Sequence, residues 1–442
     1  MLEGQSCLVS RVLPGSCEQE SKWYYMYPIE VQKGNKRSLS MEESNGTNKR
    51  SNSSNLSPRK IPRERNSLFD ETPSDQDDHQ GQGEDSNYRG LGRDMVIDCF
   101  IRCSRSDYGS IALLNRAFRL LVQSGKLYQL RRKMGVMEHW IYFSCSLAEW
   151  EAYDPNSTRW MHLPPMPSNE CFKLSDKESL AVGTELLVFG KDILSFTTWR
   201  YSILRNNWTP AVPMESPRCL FGSASQGVIA IVAGGCDIQG KILDSAELYN
   251  SENGSWETLP KMNSPRKMCS GFFMDDKFYV IGGRKVQGEN QVAHSSANPQ
   301  AQQHLTSGEE FNLETRTWRT IPNMFPRRGE FAHAPPLVAV VHNELYAADH
   351  EANEVMKYDK ENNTWSVLGK LPERAASVNG WGLAFKACGG QVIVIGGYKG
   401  TAGGTVELYS WVPKEGPPTW RLLASKQLNA GTFVYNCAVM GC

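Results

Sequence analysis

The chain has 442 residues with 48 basic and 48 acidic side chains, so its formal net charge at neutral pH is zero. This balance gives no reason to expect nucleic acid or a membrane surface as a partner, and no apolar run approaches the roughly 20 residues that span a bilayer. The chain start lacks the basic region and apolar core of a secretory signal. The length exceeds one ordinary domain, so two or three segments are expected.

The twelve cysteines include no CxxC pair, and the eight histidines form no HxxxH or HExxH motif. We therefore expect reduced, mostly buried thiols in a cytosolic or nuclear protein. Neither a metal site nor a cofactor is expected from these residues.

Residues 1–88 lack apolar periodicity and are rich in Ser, Asn and charged residues. Such a segment buries too little apolar surface to offset the conformational entropy that it would lose on folding, so a disordered N-terminal region is expected. Basic pairs such as Lys36-Arg37 and Lys49-Arg50 precede an acidic run over 70–85. The pairs are typical of a nuclear import signal and equally of a solvated linker, so the expected location is the nucleus, the cytoplasm or both.

In residues 89–134 the apolar residues follow the spacing of α-helices, so a small helical module is expected there. Apolar residues at 95, 96, 99, 100 and 103 predict a first helix, and Ser104–Asp107 supplies capping side chains. A second helix is predicted from one apolar stripe: Tyr108, Ile111, Leu114, Phe118, Leu121 and Val122. A third, short helix is predicted over 127–133. A module this small cannot build a large core of its own and is expected to lean on a partner.

From residue 139 the sequence repeats. The markers are six tryptophans: Trp160, Trp208, Trp256, Trp318, Trp365 and Trp420. Seven positions before the first five stand Tyr153, Tyr201, Tyr249, Phe311 and Tyr358, and six positions after them stand Met166, Met214, Met262, Met324 and Leu371. A period near 50 residues with several short β segments per unit indicates the blades of a β-propeller.

Within the units, apolar runs end in glycine doublets, as at Gly234-Gly235, Gly282-Gly283 and Gly396-Gly397. Such doublets suit a crowded bend with positive φ. The order of an apolar run, Gly-Gly, Glu-x-Tyr and then Trp resembles the kelch repeat over about 300 residues.

The chain ends determine the expected blade count. Two strands precede Trp160 and room for two more follows Trp420, so two strands from each end are expected to complete one blade. Five whole units plus this shared one predict a mainly β protein whose residues 139–442 form a six-bladed kelch β-propeller without exposed sheet edges. A polar insertion over 285–307 and a Pro-rich one over 411–419 interrupt the repeat.

Residues 91–132 resemble an F-box, through Leu91-Gly-Arg-Asp94, Cys103-Ser104 and Leu114-Asn-Arg-Ala-Phe118. Gly92 and Ser104 stand where that family usually has proline, and Phe118 where it has tryptophan. The order of disordered arm, F-box-like module and propeller is similar to plant F-box/kelch-repeat proteins, in the branch of Skp-interacting partners. This resemblance implies docking on a Skp-type adaptor through Leu91, Asp94, Phe100, Ile111, Leu114, Phe118 and Leu121.

Arginines recur nine or ten residues after the marker tryptophans: Arg218, Arg266, Arg328 and Arg374. In kelch propellers matching arginines lie near the channel mouth, where their forked donors suit a carboxylate. One hypothesis is that they bind an acidic substrate segment. The alternative is that they pair with the family's glutamates or with backbone carbonyls.

The resemblance implies a substrate-recognition subunit of a Skp-cullin-F-box ubiquitin ligase, which would be non-catalytic and would bind an adaptor, a cullin and an unidentified protein substrate. A scaffold or transcriptional cofactor that works without ubiquitin ligation stays open. A kelch metalloenzyme would need converging His, Tyr or carboxylate ligands, and His333, His342 and His350 form no such cluster in the sequence.

Overall fold

The computed structural model describes residues 92–286, 302–326, 334–373, 380–400, 403–413, 416–428 and 431–442. Six four-stranded antiparallel sheets follow a small helical module, so the prediction of a six-bladed propeller behind helices is confirmed. The predicted disordered region, residues 1–88, lies outside the described residues.

The helical module has four α-helices and one 3-10 turn. The turn is Arg105–Asp107, and the helices are α1 (Arg93–Arg102), α2 (Tyr108–Leu114), α3 (Arg116–Gln123) and α4 (Lys126–Lys133). The expectation of one helix through 108–122 is wrong. Asn115 is extended (φ −162°, ψ 171°), and its side-chain oxygen accepts a 2.8 Å hydrogen bond from the Phe118 amide. An asparagine that caps a new helix competes with continuation of the old one.

The closing blade, blade 1, combines strands from both ends of the described chain. From the channel outwards its strands are Asn436–Gly441, His139–Ser144, Glu151–Asp154 and Arg159–His162. The expected sharing of two strands from each end is wrong, because three strands come from the 139–162 segment and one from 436–441. The Arg421–Leu428 strand instead completes blade 6.

The other blades run from the innermost to the outermost strand in chain order. Blade 2 has Lys177–Val182, Glu185–Lys191, Phe196–Ser202 and Asn207–Pro210, and blade 3 has Gly222–Gln226, Ile229–Ala233, Ala246–Asn250 and Ser255–Leu259. Blade 4 has Ser270–Met274, Lys277–Ile281, Gly308–Asn312 and Thr317–Ile321, with the hairpin Arg284–Val286 and Gln302–His304 beside it. Blade 5 has Leu337–Val341, Glu344–Asp349, Glu354–Asp359 and Thr364–Lys370, and blade 6 has Ala384–Cys388, Gln391–Gly400, Gly403–Trp411 and Arg421–Leu428. A fifth helix, α5 (Glu170–Leu174), lies between blades 1 and 2.

The tryptophan spacing has a simple geometric origin. Each aromatic seven residues upstream lies directly opposite its tryptophan across the outer two strands, as in the pair Tyr249 and Trp256, whose ring centroids are 4.9 Å apart. The indole then reaches the preceding blade, where Trp256 Nε1 donates to Val212 O at 3.0 Å and Trp318 Nε1 donates to Pro260 O at 2.7 Å. The repeat therefore encodes both a cross-strand pair within a blade and a hydrogen bond between blades.

The glycine doublets behave in two ways. Gly234 and Gly235 have φ of 71° and 89°, and Gly282 and Gly283 have 63° and 93°, as the sequence predicts. Gly396 and Gly397 lie within the Gln391–Gly400 strand instead, and neither is among the residues with positive φ. Bending at that doublet was a wrong expectation, because its strand continues in pairing with Gly403–Trp411.

The propeller has two faces, which we name here. The module face carries the turns from first to second and from third to fourth strands. The open face carries the turns from second to third strands and the connections between blades. Antiparallel order places these two sets of turns at opposite edges of every sheet.

Candidate functional site

The helical module exposes large apolar side chains. They are Met95, Leu113, Leu114 and Leu120, with 58%, 77%, 67% and 56% of their surface accessible. The first lies on α1, the next two end α2 and the last is on α3. Apolar side chains concentrated on so small a module are typical of a protein-binding surface.

The predicted adaptor residues that the structure describes differ in how exposed they are. Asp94 and Leu114 are exposed. Phe100, Ile111 and Phe118 are half-buried, and the rings of Phe100 and Phe118 pack edge to face with centroids 4.9 Å apart.

One predicted adaptor residue is buried. Leu121 is only 6% exposed and belongs to a core shared with the propeller, so its assignment to the adaptor surface is corrected. Its place on the same apolar stripe as Leu114 concealed this, because the break at Asn115 turns the second half of the stripe elsewhere. Leu91 lies outside the described residues.

An arginine from the module is buried in the propeller. The Arg105 guanidinium donates to Tyr142 Oη at 2.9 Å and to Cys442 Sγ at 2.7 Å, and it lies 4.0 Å from the Trp140 ring centroid. Burial raises the pKa of the Tyr142 hydroxyl and of the Cys442 thiol, so both groups stay neutral beside the cation. A buried charge with this many partners fixes the module in one orientation.

A second buried arginine closes the module on itself. Arg131 donates to the carbonyls of Ile101 and Cys103 at 2.9 and 2.5 Å, and its guanidinium lies 3.1 Å from a Glu138 carboxylate oxygen. The other oxygen of Glu138 accepts a hydrogen bond from the Arg105 amide at 3.0 Å. The short link before the first propeller strand is therefore part of the attachment.

The module occupies the module face above blades 1 to 3. Glu138 and Cys442 exchange backbone hydrogen bonds of 3.0 Å at the start of blade 1. Gly125 lies against Leu204 in the outer turn of blade 2, and Arg132 lies 3.9 Å from Glu252 in the outer turn of blade 3. The open face at the opposite edge of these sheets carries none of these contacts.

Arg218 and Arg266 do not reach the open face as ligands for a substrate. Arg266 is 0% exposed and donates to Gly282 O at 3.1 Å, to Ser307 O at 2.9 Å and to Glu309 Oε1 at 2.8 Å. Arg218 is 1% exposed and makes the corresponding 2.6 Å pair with Glu247.

The hypothesis that these two arginines bind substrate is therefore corrected, and the alternative of pairing with the family glutamates and with carbonyls is observed. Burial lowers the pKa of the Arg218 guanidinium, and Glu247 opposes that effect. Arg328 and Arg374 lie outside the described residues.

The open face presents two neighbouring exposed apolar residues that were not predicted from the sequence. Ile193 and Leu194 are 71% and 86% exposed in the turn between the second and third strands of blade 2. The turn is held by the Asp192 amide donating to Ser195 O at 2.8 Å, while Asn169 donates to the Asp192 carboxylate at 2.7 Å. Two consecutive apolar residues in a turn, where polar residues are usual, were the available signal.

A cavity of about 550 Å³ opens on the module face between blades 1 and 6, and its lining includes His139, Gly389, Gly390 and Arg421. Within the described ranges no three His, Cys, Asp or Glu side chains are grouped so that they could hold a metal ion. Nor is any helix in the described part of the chain long and apolar enough to cross a membrane.

Comparison with known proteins identifies similar chains. The Kelch motif matches residues 217–263 and 265–325. An F-box/kelch-repeat protein of Arabidopsis thaliana is 50% identical over 454 residues, covering 100% of both chains. The F-box/kelch-repeat protein SKIP11 of the same plant is 58% identical over 374 residues, covering 84% of this chain and 78% of its own. A further Arabidopsis F-box/kelch-repeat protein is 49% identical over 466 residues, covering 100% of both.

Proposed function

The chain belongs to the F-box/kelch-repeat proteins, and on that basis we propose that it is the substrate-recognition subunit of a Skp-cullin-F-box ubiquitin ligase. The helical module binds the Skp-type adaptor and the propeller binds the protein to be ubiquitinated. The chain itself carries out no reaction, since ubiquitin transfer is performed by the other subunits of such a ligase.

The observation that carries this proposal is the two-sided character of the module. One side is built into the propeller through Arg105 and Leu121, while the other leaves Met95, Leu113, Leu114 and Leu120 in solvent. A module that served only as a structural cap would bury its apolar stripe against the propeller and leave no such surface. The exposed side therefore fits a second protein.

Adaptor binding is tested with the purified full chain and a Skp-type adaptor by titration calorimetry. The double variant Leu113→Asp, Leu114→Asp should weaken binding at least tenfold, because two charges would have to be desolvated in an apolar interface. Ile193→Asp, Leu194→Asp is the matched control, since it places the same charges on the open face. Absence of binding by the unaltered chain at micromolar concentration would contradict the proposal and favour a scaffold that works without the ligase.

We assign the substrate to the open face, because the module already covers blades 1 to 3 on the other face. The Ile193-Leu194 turn carries the most exposed large apolar side chains that the described residues place there. Affinity purification with the proteasome inhibited should identify the substrate. Its capture should fall with Ile193→Asp, Leu194→Asp and persist with Leu113→Asp, Leu114→Asp, and the reverse pattern would contradict the assignment of the faces.

The nucleus and the cytoplasm are both proposed locations. The basic pairs that would direct nuclear import fall outside the described residues. Replacing Lys36, Arg37, Lys49 and Arg50 by alanine in a fluorescent fusion should reduce nuclear signal, and an unchanged distribution would contradict import through these pairs.

A further inference from the structure

Two thiols face each other on the open face of blade 3. Cys219 lies in the connection that enters the blade, and Cys236 follows the Gly234-Gly235 bend. Their sulfur atoms are 3.5 Å apart. We propose that Cys219 and Cys236 form a peroxide-oxidisable thiol pair that closes into an intramolecular disulfide and staples these two segments together.

The backbone already holds the pair in register. The Cys219 amide donates to Cys236 O at 3.0 Å, and the Cys236 amide donates back to Cys219 O at 2.8 Å. Residues in such a hydrogen-bonded antiparallel pair have Cα atoms about 5.5 Å apart, which is within the range of disulfides. The sulfurs need to approach by about 1.5 Å to reach bonding distance, which side-chain rotation supplies without a change of fold.

The two cysteines differ in access. Cys236 is 1% exposed, whereas Cys219 is partly exposed. The accessible sulfur is therefore the one that meets an oxidant first, and the buried sulfur resolves the product.

The chemistry balances with hydrogen peroxide as the oxidant. The Cys219 thiolate attacks one peroxide oxygen, the O–O bond breaks, and a sulfenic acid and one water form. The Cys236 thiolate then attacks Cys219 Sγ, the S–S bond forms, and the hydroxyl leaves with a proton as a second water. The two thiols together lose two protons and two electrons, and one peroxide becomes two waters.

The staple would act on a small hairpin of the open face. Cys236 also forms an antiparallel backbone β-bridge with Ile242, and the Asp237 amide donates a hydrogen bond to Lys241 O at 3.1 Å. Residues 236–242 therefore form a tight hairpin. A disulfide would bind this hairpin covalently to the connection that carries Arg218. Its opening would then require breaking a covalent bond rather than two backbone hydrogen bonds.

The sequence provides a direct assay, because no lysine or arginine lies between Cys219 and Lys241 and trypsin releases both cysteines in one peptide. The purified full chain is treated with hydrogen peroxide, quenched, alkylated with iodoacetamide and digested. We expect the 219–241 peptide to be lighter by two hydrogens and to carry no alkyl group. After reduction the same peptide should take up two alkyl groups.

One variant and one control residue make the outcome decisive. In Cys236→Ser the internal disulfide cannot form, and Cys219 should instead be trapped as sulfenic acid by dimedone. Cys171, exposed on α5, serves as the internal control for oxidant dose. The proposal is overturned if the 219–241 peptide stays doubly alkylable at peroxide levels that modify Cys171, or if Cys219 is recovered only in disulfides between chains.

Discussion

The buried pair of Arg266 and Glu309 provides the sharpest test of how the propeller is held together. In Arg266→Met the aliphatic volume is largely kept, but the Glu309 carboxylate stays buried without its cation. The carbonyls of Gly282 and Ser307 each lose a hydrogen bond. Removal of one partner from a buried ion pair costs about 3–5 kcal/mol. An unfolding entropy of about 2.1 cal/mol/K per residue over roughly 300 residues converts this cost into a fall in Tm of about 5–8 °C.

The assay is thermal unfolding followed by circular dichroism, with a double variant and a surface control. Arg266→Met, Glu309→Gln removes the stranded charge and should recover at least about 1 kcal/mol relative to the single variant. Arg316→Met breaks a pair of the same chemistry, 2.7 Å from Glu257, but both side chains are about half exposed. It should change stability by less than about 0.5 kcal/mol. An unchanged Tm in Arg266→Met would refute the structural role of the pair.

Three further predictions concern other contacts. Trp318→Phe keeps an aromatic ring but loses the indole N–H and its hydrogen bond to Pro260 O, so the free energy of unfolding measured in urea should fall by about 0.5–1.5 kcal/mol. No loss would argue against the indole as a link between blades. Burial raises the pKa of the Glu178 carboxyl to about 8, so its contribution to stability is fully present below its unfolded pKa and is lost as pH rises through 8. Glu178→Gln should therefore gain in Tm relative to the unaltered chain between pH 5 and pH 9, and a parallel pH dependence in both would contradict this. Arg105→Met should expose the 134–138 link to limited proteolysis at temperatures below the melting of the propeller, because Tyr142 loses its cationic partner. If cleavage of the link and unfolding of the propeller began at the same temperature, the module would not be attached separately.

The fold could be predicted from the sequence wherever its signal is local. The seven-residue spacing of Tyr249 and Trp256 reflects the register of a single hairpin, and the same spacing recurs in other blades, so it can be recognised in the sequence. The signal for the closing blade is not local, because Ile141 pairs with Val439, and nearly the whole propeller sequence separates the two residues. Candidate strands near each end of the chain could be counted, but the count did not show how they divide between blades. Two strands from each end were expected in the closing blade, whereas three come from the 139–162 segment and one from 436–441.

The candidate site was predictable only in part, for a related reason. Leu114 and Leu121 look equivalent on a helical stripe, and only the cap at Asn115 separates the exposed one from the buried one. The arginines allowed two hypotheses because a guanidinium suits a substrate carboxylate and an internal glutamate equally well. Burial, which the sequence does not encode at single positions, distinguished them for Arg218 and Arg266.

Closure of the propeller and placement of the module depend on the same residues. Ile101 and Leu127 of the module share one core with Tyr142 and Met440 of the closing blade. Met440 lies on the strand that completes that blade, and it reaches the core only when Asn436–Gly441 pairs with His139–Ser144. A substitution that weakens this pairing would therefore loosen the helical module and open the ring together. Under the function proposed above, this attachment would hold the substrate at a fixed orientation to the adaptor rather than on a flexible tether.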